Sequence, residues 1–396
     1  MSINRKFSPL VFLASLGAGG IAVMPFAFLQ YTLPGLKGLV TWQQLGHGTL
    51  PAAKEFFYFS LESVMIVFTI IHFILTFIFL RQLYWWIKSS EYEFFVEDPL
   101  KNAAIVTPFI SIAMSMNVFI GPVRFFIPFF SSNFQNLMLP ALAVWSIIWI
   151  LLLRMEIKLL KISFTNSFDV NKISFGWLLH PFALGMVTVT GTGIAAMAKN
   201  PPIAHAAAFM ALVSGSMGVF LLIVKLIAIF KSHFAADGLP ERQFLPSFLV
   251  VVPNITLFAI SAFRLSHYFE HHMGFHMHTF GALVIILSFA FETWYLLFGL
   301  ALLGDYLKKH FFNNEFYISQ WSFICPIVAY AVLGSFTFKM FVQSPLIYGL
   351  IMVTMVLAVT TYFLIMQRHI KCSRSSVEEK KIQCLFDTPA IAAEHS

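Results

Sequence analysis

Apolar residues fill ten long runs along the chain, with short polar stretches between them. The runs cover residues 9–33, 59–83, 100–122, 137–160, 177–198, 205–230, 246–266, 276–303, 320–341 and 346–367. Each approaches or exceeds the roughly 20 apolar residues that a helix needs to cross the hydrocarbon of a bilayer. The pattern predicts an all-α integral membrane protein of ten transmembrane helices, with residues 1–370 as the membrane domain and 371–396 as a flexible cytoplasmic tail. Composition agrees: 59% of residues are hydrophobic, only 11% are charged, and mean hydropathy is +0.81, a balance no soluble chain of this length requires. The first run is too long for a signal-peptide core and has no obvious small-residue cleavage site, so it is expected to be retained.

Prolines subdivide the runs. Pro25, Pro108, Pro181, Pro253 and Pro326 lie inside runs one, three, five, seven and nine, whereas the even runs carry proline only near an end or not at all. The spacings are 83, 73, 72 and 73 residues, the period of a helical hairpin repeated five times. Proline in a helix interior costs about 3 kcal/mol or more, and the carbonyl it frees is tolerated only in protein or beside a wet cavity. The expected arrangement is therefore five hairpins around a central pore, with proline-kinked odd helices inside and bulky even helices facing lipid. The small-residue runs "GAGG" and "GTG" in runs one and five suit close helix approach. Broken helices in equivalent positions of a repeat mark a transport path near the midplane. Residues adjoining the kinks become candidate lining groups: Phe26, Thr107, Phe109, His180, Phe182, Asn254 and Cys325. Asn254 is an amide at a depth where it needs a partner or water. His180 reads equally as a titrating group in a wet path or a neutral histidine packed against a neighbouring helix.

Charge gives the orientation. With the N-terminus in the cytoplasm, ten spans place 19 of the 25 lysines and arginines on that side and 6 on the other, which predicts both termini inside, in a cell (inner) membrane. The net charge of +7 is thus a topology signal, and nucleic acid is excluded as a partner because no soluble basic surface remains. Cys372 and Cys384 fall in the tail and Cys325 in a span, so no disulfide framework is expected. No nucleotide motif, soluble-enzyme constellation or cofactor motif is visible, so the chain does not read as an enzyme.

Other polar groups have plain readings. Glu292, midway along run eight, is a packing brace or a proton site. Glu62 and Arg264 read as snorkelling to the outer interface, Lys225 and Arg154 to the inner one. The stretch "HYFEHHMGFHMH" places His267 four residues before His271, and His272 four before His276, a helical spacing that makes them weak metal candidates with Glu270. A membrane redox or metal-binding protein using this His267 to His278 cluster is the alternative function; a bis-histidine haem would add His72 and His180, although no haem-attachment or four-cysteine motif accompanies them.

The chain resembles the TehA tellurite-resistance, C4-dicarboxylate transporter and plant slow-type anion channel family, most clearly in "QWSFICPIVAY" at 320–330. The resemblance implies ten helices as five hairpins around a pore, homotrimeric assembly, and passage of a small inorganic or organic anion. It also implies a gating phenylalanine on the ninth helix. Aligned on Trp321 and Pro326, the residue before the proline is Cys325, and Phe323 stands two positions further back. Either Phe323 or a phenylalanine of another kink plugs the pore, or it is gated differently.

Overall fold

The ten apolar runs fold into ten helices long enough to cross a bilayer, and the computed structural model describes residues 7–36, 38–236, 238–313, 315–375 and 384–385. In chain order they are α1 (Pro9–Thr32), α2 (Ala52–Trp86), α3 (Asn102–Phe126), α4 (Phe134–Thr165), α5 (Phe175–Met197), α6 (Pro201–Ala235), α7 (Leu245–Met273), α8 (His278–Phe311), α9 (Ile318–Met340) and α10 (Pro345–Ser373). Several extend past their apolar runs. The 35 residues of α2 and of α6 make each about 50 Å long, more than a bilayer core of about 30 Å requires.

Burial alternates along the chain. The most apolar windows of the odd helices are 56 to 100% buried and those of the even helices 22 to 33%. The even helices leave bulky side chains such as Phe77, Ile147, Phe220 and Leu297 uncovered, a lipid-facing surface. Contacts follow a closed order: α1 packs on α3, α3 on α5, α5 on α7, α7 on α9, and α9 back on α1. Each even helix packs on its hairpin partner and on the next odd helix.

Glycines let these layers approach. A Cβ on Gly191 would stand 2.1 Å from Trp145 Cζ2, and this closeness lets the buried Trp145 Nε1 donate to Val187 O at 2.8 Å. On Gly19 it would stand 2.5 Å from Met114 Cγ. The "GTG" and "GAGG" runs are therefore packing surfaces.

The prolines are placed differently from expectation. Every odd helix begins with a 3-10 turn: Pro9–Val11, Asn102–Val106, Phe175–Leu178, Leu245–Val250 and Ile318–Phe323. Pro108, Pro181, Pro253 and Pro326 follow in the first α-helical turn, where a missing N–H costs little. Pro25 departs from this register: it lies deep inside the helix Phe12–Thr32, where Ala14 holds the position equivalent to Pro181, Pro253 and Pro326. The α-helical starts Phe12 and Thr107 stand 95 residues apart, against 72 or 73 for the later pairs, so the spacing of 83 combines a longer first hairpin with the deeper place of Pro25.

The carbonyl that Pro181 leaves free, Trp177 O, accepts from Lys225 Nζ at 3.5 Å, and Ala104 O, freed by Pro108, accepts from the Thr107 hydroxyl at 2.8 Å. Successive odd helices are also tied at these starts. Thr107 Oγ1 donates to Pro9 O at 2.6 Å, Asn254 Nδ2 to Leu178 O at 3.4 Å, and Ser319 Oγ to Gln243 O.

At the terminal face, α10 continues in helix to Ser375, and Cys384–Leu385 pairs in parallel with Phe316–Tyr317. Cys372 is disulfide-bonded, against the expectation of no disulfide, while Cys325 is free. The remainder of the expected tail lies outside the described residues, as do Arg5, Lys6, Lys37, Lys380 and Lys381 among the basic residues counted for the orientation.

Candidate functional site

Six of the eight predicted lining or gating residues are buried: Phe26, Thr107, His180, Phe182, Asn254 and Phe323. Only Phe109 and Cys325 are partly exposed. Their partners explain most of this. Thr107 and Asn254 spend their donors on backbone carbonyls at the 3-10 starts, although Asn254 Oδ1 lacks a hydrogen-bond partner. Phe26 lies against Gly121 and Phe125 of α3, and Phe323 against Tyr306 and Phe311 of α8. For Phe182, buried beside Pro181, no ring pairing is seen among the described residues.

His180 turns away from the ring. Its Nδ1 donates to Glu156 Oε2 of α4 at 2.7 Å, and both side chains are fully buried. Lys225 of α6, also buried, lies 4.2 Å from the Trp177 ring centroid and interacts electrostatically with Glu156. Acid, imidazole and ammonium thus share one pocket between α4, α5 and α6. Among the described residues His180 Nε2 and Glu156 Oε1 have no hydrogen-bond partner. Of the two readings of His180, the packed histidine fits these contacts, and Lys225 does not snorkel.

Glu292 takes the bracing role: it accepts from Thr256 of α7 through Oε1, while Oε2 has no partner among the described residues. His72 lies 2.7 Å from Ser15 O through Nδ1 and 2.8 Å from Ser115 Oγ through Nε2, so neither nitrogen is open to an iron.

Arg264 does not snorkel either. Apolar run seven ends at 266, but the helix continues to Met273, which sets Arg264 nine residues, or about 13 Å, inside that end. It donates from Nη1 to Val189 O of α5 at 2.6 Å, and Nη1 is 3.1 Å from where a Cβ on Gly193 would stand. It also lies near Tyr31 of α1, a helix that is not a neighbour of α7 in the ring, so it is on the side of α7 that looks into the ring. Tyr31 in turn packs on Phe336 of α9, ring centroids 3.9 Å apart. Arg264 is partly accessible and, among the described residues, forms no ion pair. A lone cation inside a polypeptide ring attracts anions and repels cations. The sequence carries a signal for it: a single arginine between the apolar residues "FAISAF" and "LSHYF".

On the distal face, opposite the termini, the α1–α2 loop places His47 between two acids, Nδ1 2.9 Å from Glu55 and Nε2 2.7 Å from Glu62. A neutral imidazole has one N–H and could satisfy only one of them. Partial burial would lower the His47 pKa, but the hydrogen bonds and charges of the two acids outweigh it and the pKa is raised. Stability from this contact is therefore full below the unfolded value of about 6.5 and is lost as pH rises through the higher folded value. Thermal unfolding of wild type against His47→Gln should show its largest difference at acidic pH, closing as pH rises. A difference that grows with pH would contradict the geometry.

The histidine cluster assembles only in part: His267 and His271 stack on one helix face as their spacing suggests, ring centroids 6.2 Å apart. Gly274, with φ of +72°, caps α7, so His276 stands beyond the helix and cannot share a face with His272. His272 Nε2 bonds Ala198 O at 3.1 Å, His267 lies 3.6 Å from Glu270, and His205 meets the Tyr268 hydroxyl at 2.7 Å. Among the described residues no three histidine, cysteine or acidic side chains converge to hold a metal.

Compared with known proteins, residues 6–370 match the sequence model of a family described as voltage-dependent anion channel. No curated protein matches the chain.

Proposed function

Since the chain belongs to the voltage-dependent anion channel family, we propose that its five odd helices enclose the conduit for a small inorganic or organic anion and that Arg264 draws the anion in. The observation that carries this reading is the unpaired guanidinium on the side of α7 that looks into the ring. The burial of the residues beside the prolines supports a closed state, plugged by packed side chains at the level of the helix starts. Phe182 is the better plug of the two phenylalanines considered, because Phe323 is engaged with Tyr306 and Phe311 of an outer helix. The pocket of Glu156, His180 and Lys225 holds α4 and α6 to α5 from outside the path. The 19-to-6 bias of basic residues supports cytoplasmic termini, and the family resemblance supports a homotrimer in a cell membrane.

The test is anion flux into liposomes carrying the purified protein, with potassium flux as control. Wild type should pass anions and not potassium. Phe182→Ala should raise anion flux several-fold, while Phe323→Ala should leave it near wild type. No anion movement in wild type and in both variants would sink the reading.

A further inference from the structure

A second guanidinium lies on the distal face. Arg124, at the end of α3, is buried, and its head is fixed by backbone acceptors: Nε donates to Ile120 O at 3.0 Å and Nη2 to Val40 O at 2.7 Å. Nη1, which carries two N–H bonds, has among the described residues only the Ser131 hydroxyl, at the long distance of 3.5 Å; that hydroxyl itself donates to Arg124 O at 2.8 Å. Nη1 therefore retains donor capacity, and Arg124 lines a cleft of about 320 Å³ whose other polar lining, among the described residues, comes from Thr41, Ser131 and Gln135. Among the described residues no acid lines this cleft, and Arg124 is the one charged residue that does. Burying an arginine without a carboxylate is costly, and the space beside it can hold a small anion with part of its water shell.

The cleft adjoins the ring. Met197, which lines it, has Cε 3.6 Å from the position of a Cβ on Gly193, and Arg264 Nη1 is 3.1 Å from that same position. The flexible thioether of Met197 thus borders the cleft on one side and the surroundings of Arg264 on the other.

We propose that this cleft is a capture site for a small inorganic anion, which binds Arg124 Nη1 and then passes Met197 to Arg264. The handover rests on the anion-conduit reading; the binding does not. With Nε and one Nη2 hydrogen bonded to backbone carbonyls, three of the five N–H donors of Arg124 remain, both of those on Nη1 among them. The site suits a small inorganic anion such as nitrate, held by few donors and released readily.

Thr41→Asp tests the site without touching Arg124. Thr41 caps the 3-10 turn Trp42–Leu45, and aspartate caps as well as threonine, so folding should be preserved. The new carboxylate would occupy the cleft electrostatically. Thermal unfolding is measured in nitrate against gluconate at fixed ionic strength, together with the dependence of flux on distal nitrate concentration. Nitrate should raise the unfolding temperature of wild type and of Arg264→Gln. In Thr41→Asp that rise should vanish, and the half-saturating nitrate concentration should increase about tenfold. A rise that persists in Thr41→Asp, or none in wild type, overturns the capture site. If the rise behaves as expected while no variant conducts, the site stands and the conduit reading falls. Conduction without any nitrate effect on unfolding keeps the conduit and removes the capture site.

Discussion

Replacing Arg264 with glutamine should lower anion flux at least tenfold at sub-saturating concentration, and replacing it with glutamate should abolish that flux. The reason is electrostatic. A unit charge about 4 Å from a permeating anion contributes roughly 4 kcal/mol at an effective dielectric constant of 20. Even a third of that corresponds to a factor of about ten. Nothing among the described residues compensates, because Arg264 has no ion-pair partner whose release would leave the opposite charge behind. Arg264→Lys should keep part of the flux, since it preserves charge while losing the bond to Val189 O. Wild-type flux in Arg264→Gln, measured in liposomes with matched protein content, would remove Arg264 from the path.

The second large effect concerns folding. Glu156→Gln leaves Lys225 and His180 buried without their acid, and breaking a buried ionic cluster by removing one partner costs about 3–5 kcal/mol. The unfolding temperature in detergent should fall sharply. Adding Lys225→Met should recover much of the loss, because the stranded charge is then gone and the methionine fills similar space. If the double variant is no better than Glu156→Gln alone, the ammonium is not part of the cluster.

The two helix layers are legible in the sequence because their signals are local. Apolar run length, bulky side chains such as those of "FTIIHFILTFIFL", and prolines every 72 or 73 residues each act within one helix. The site is less legible because it is made between helices. His180 pairs with an acid 24 residues earlier on another helix, and nothing at position 180 announces that partner. Apolarity ends run seven seven residues before the helix itself ends, which makes a deeply placed arginine, Arg264, look interfacial. Pro25 falls in an odd run like the other four, yet its spacing of 83 already sets it apart. The i, i+4 rule fails for His272 and His276 because Gly274 stops the helix between them.

The five 3-10 starts differ in length, from three residues in α1 to six in α7 and α9. A 3-10 segment advances about 2.0 Å and turns 120° per residue, against about 1.5 Å and 100° in an α-helix. Rewinding six residues to α geometry would therefore screw the rest of the helix by about 120° and retract it by about 3 Å, and three residues would give half of each. The ring is built from screws of unequal lead. Spin labels at the distal ends would show it: any shared rewinding should displace α7 and α9 about twice as far as α1. Arg264 rides on one of the two longest screws, and Tyr31 on the shortest.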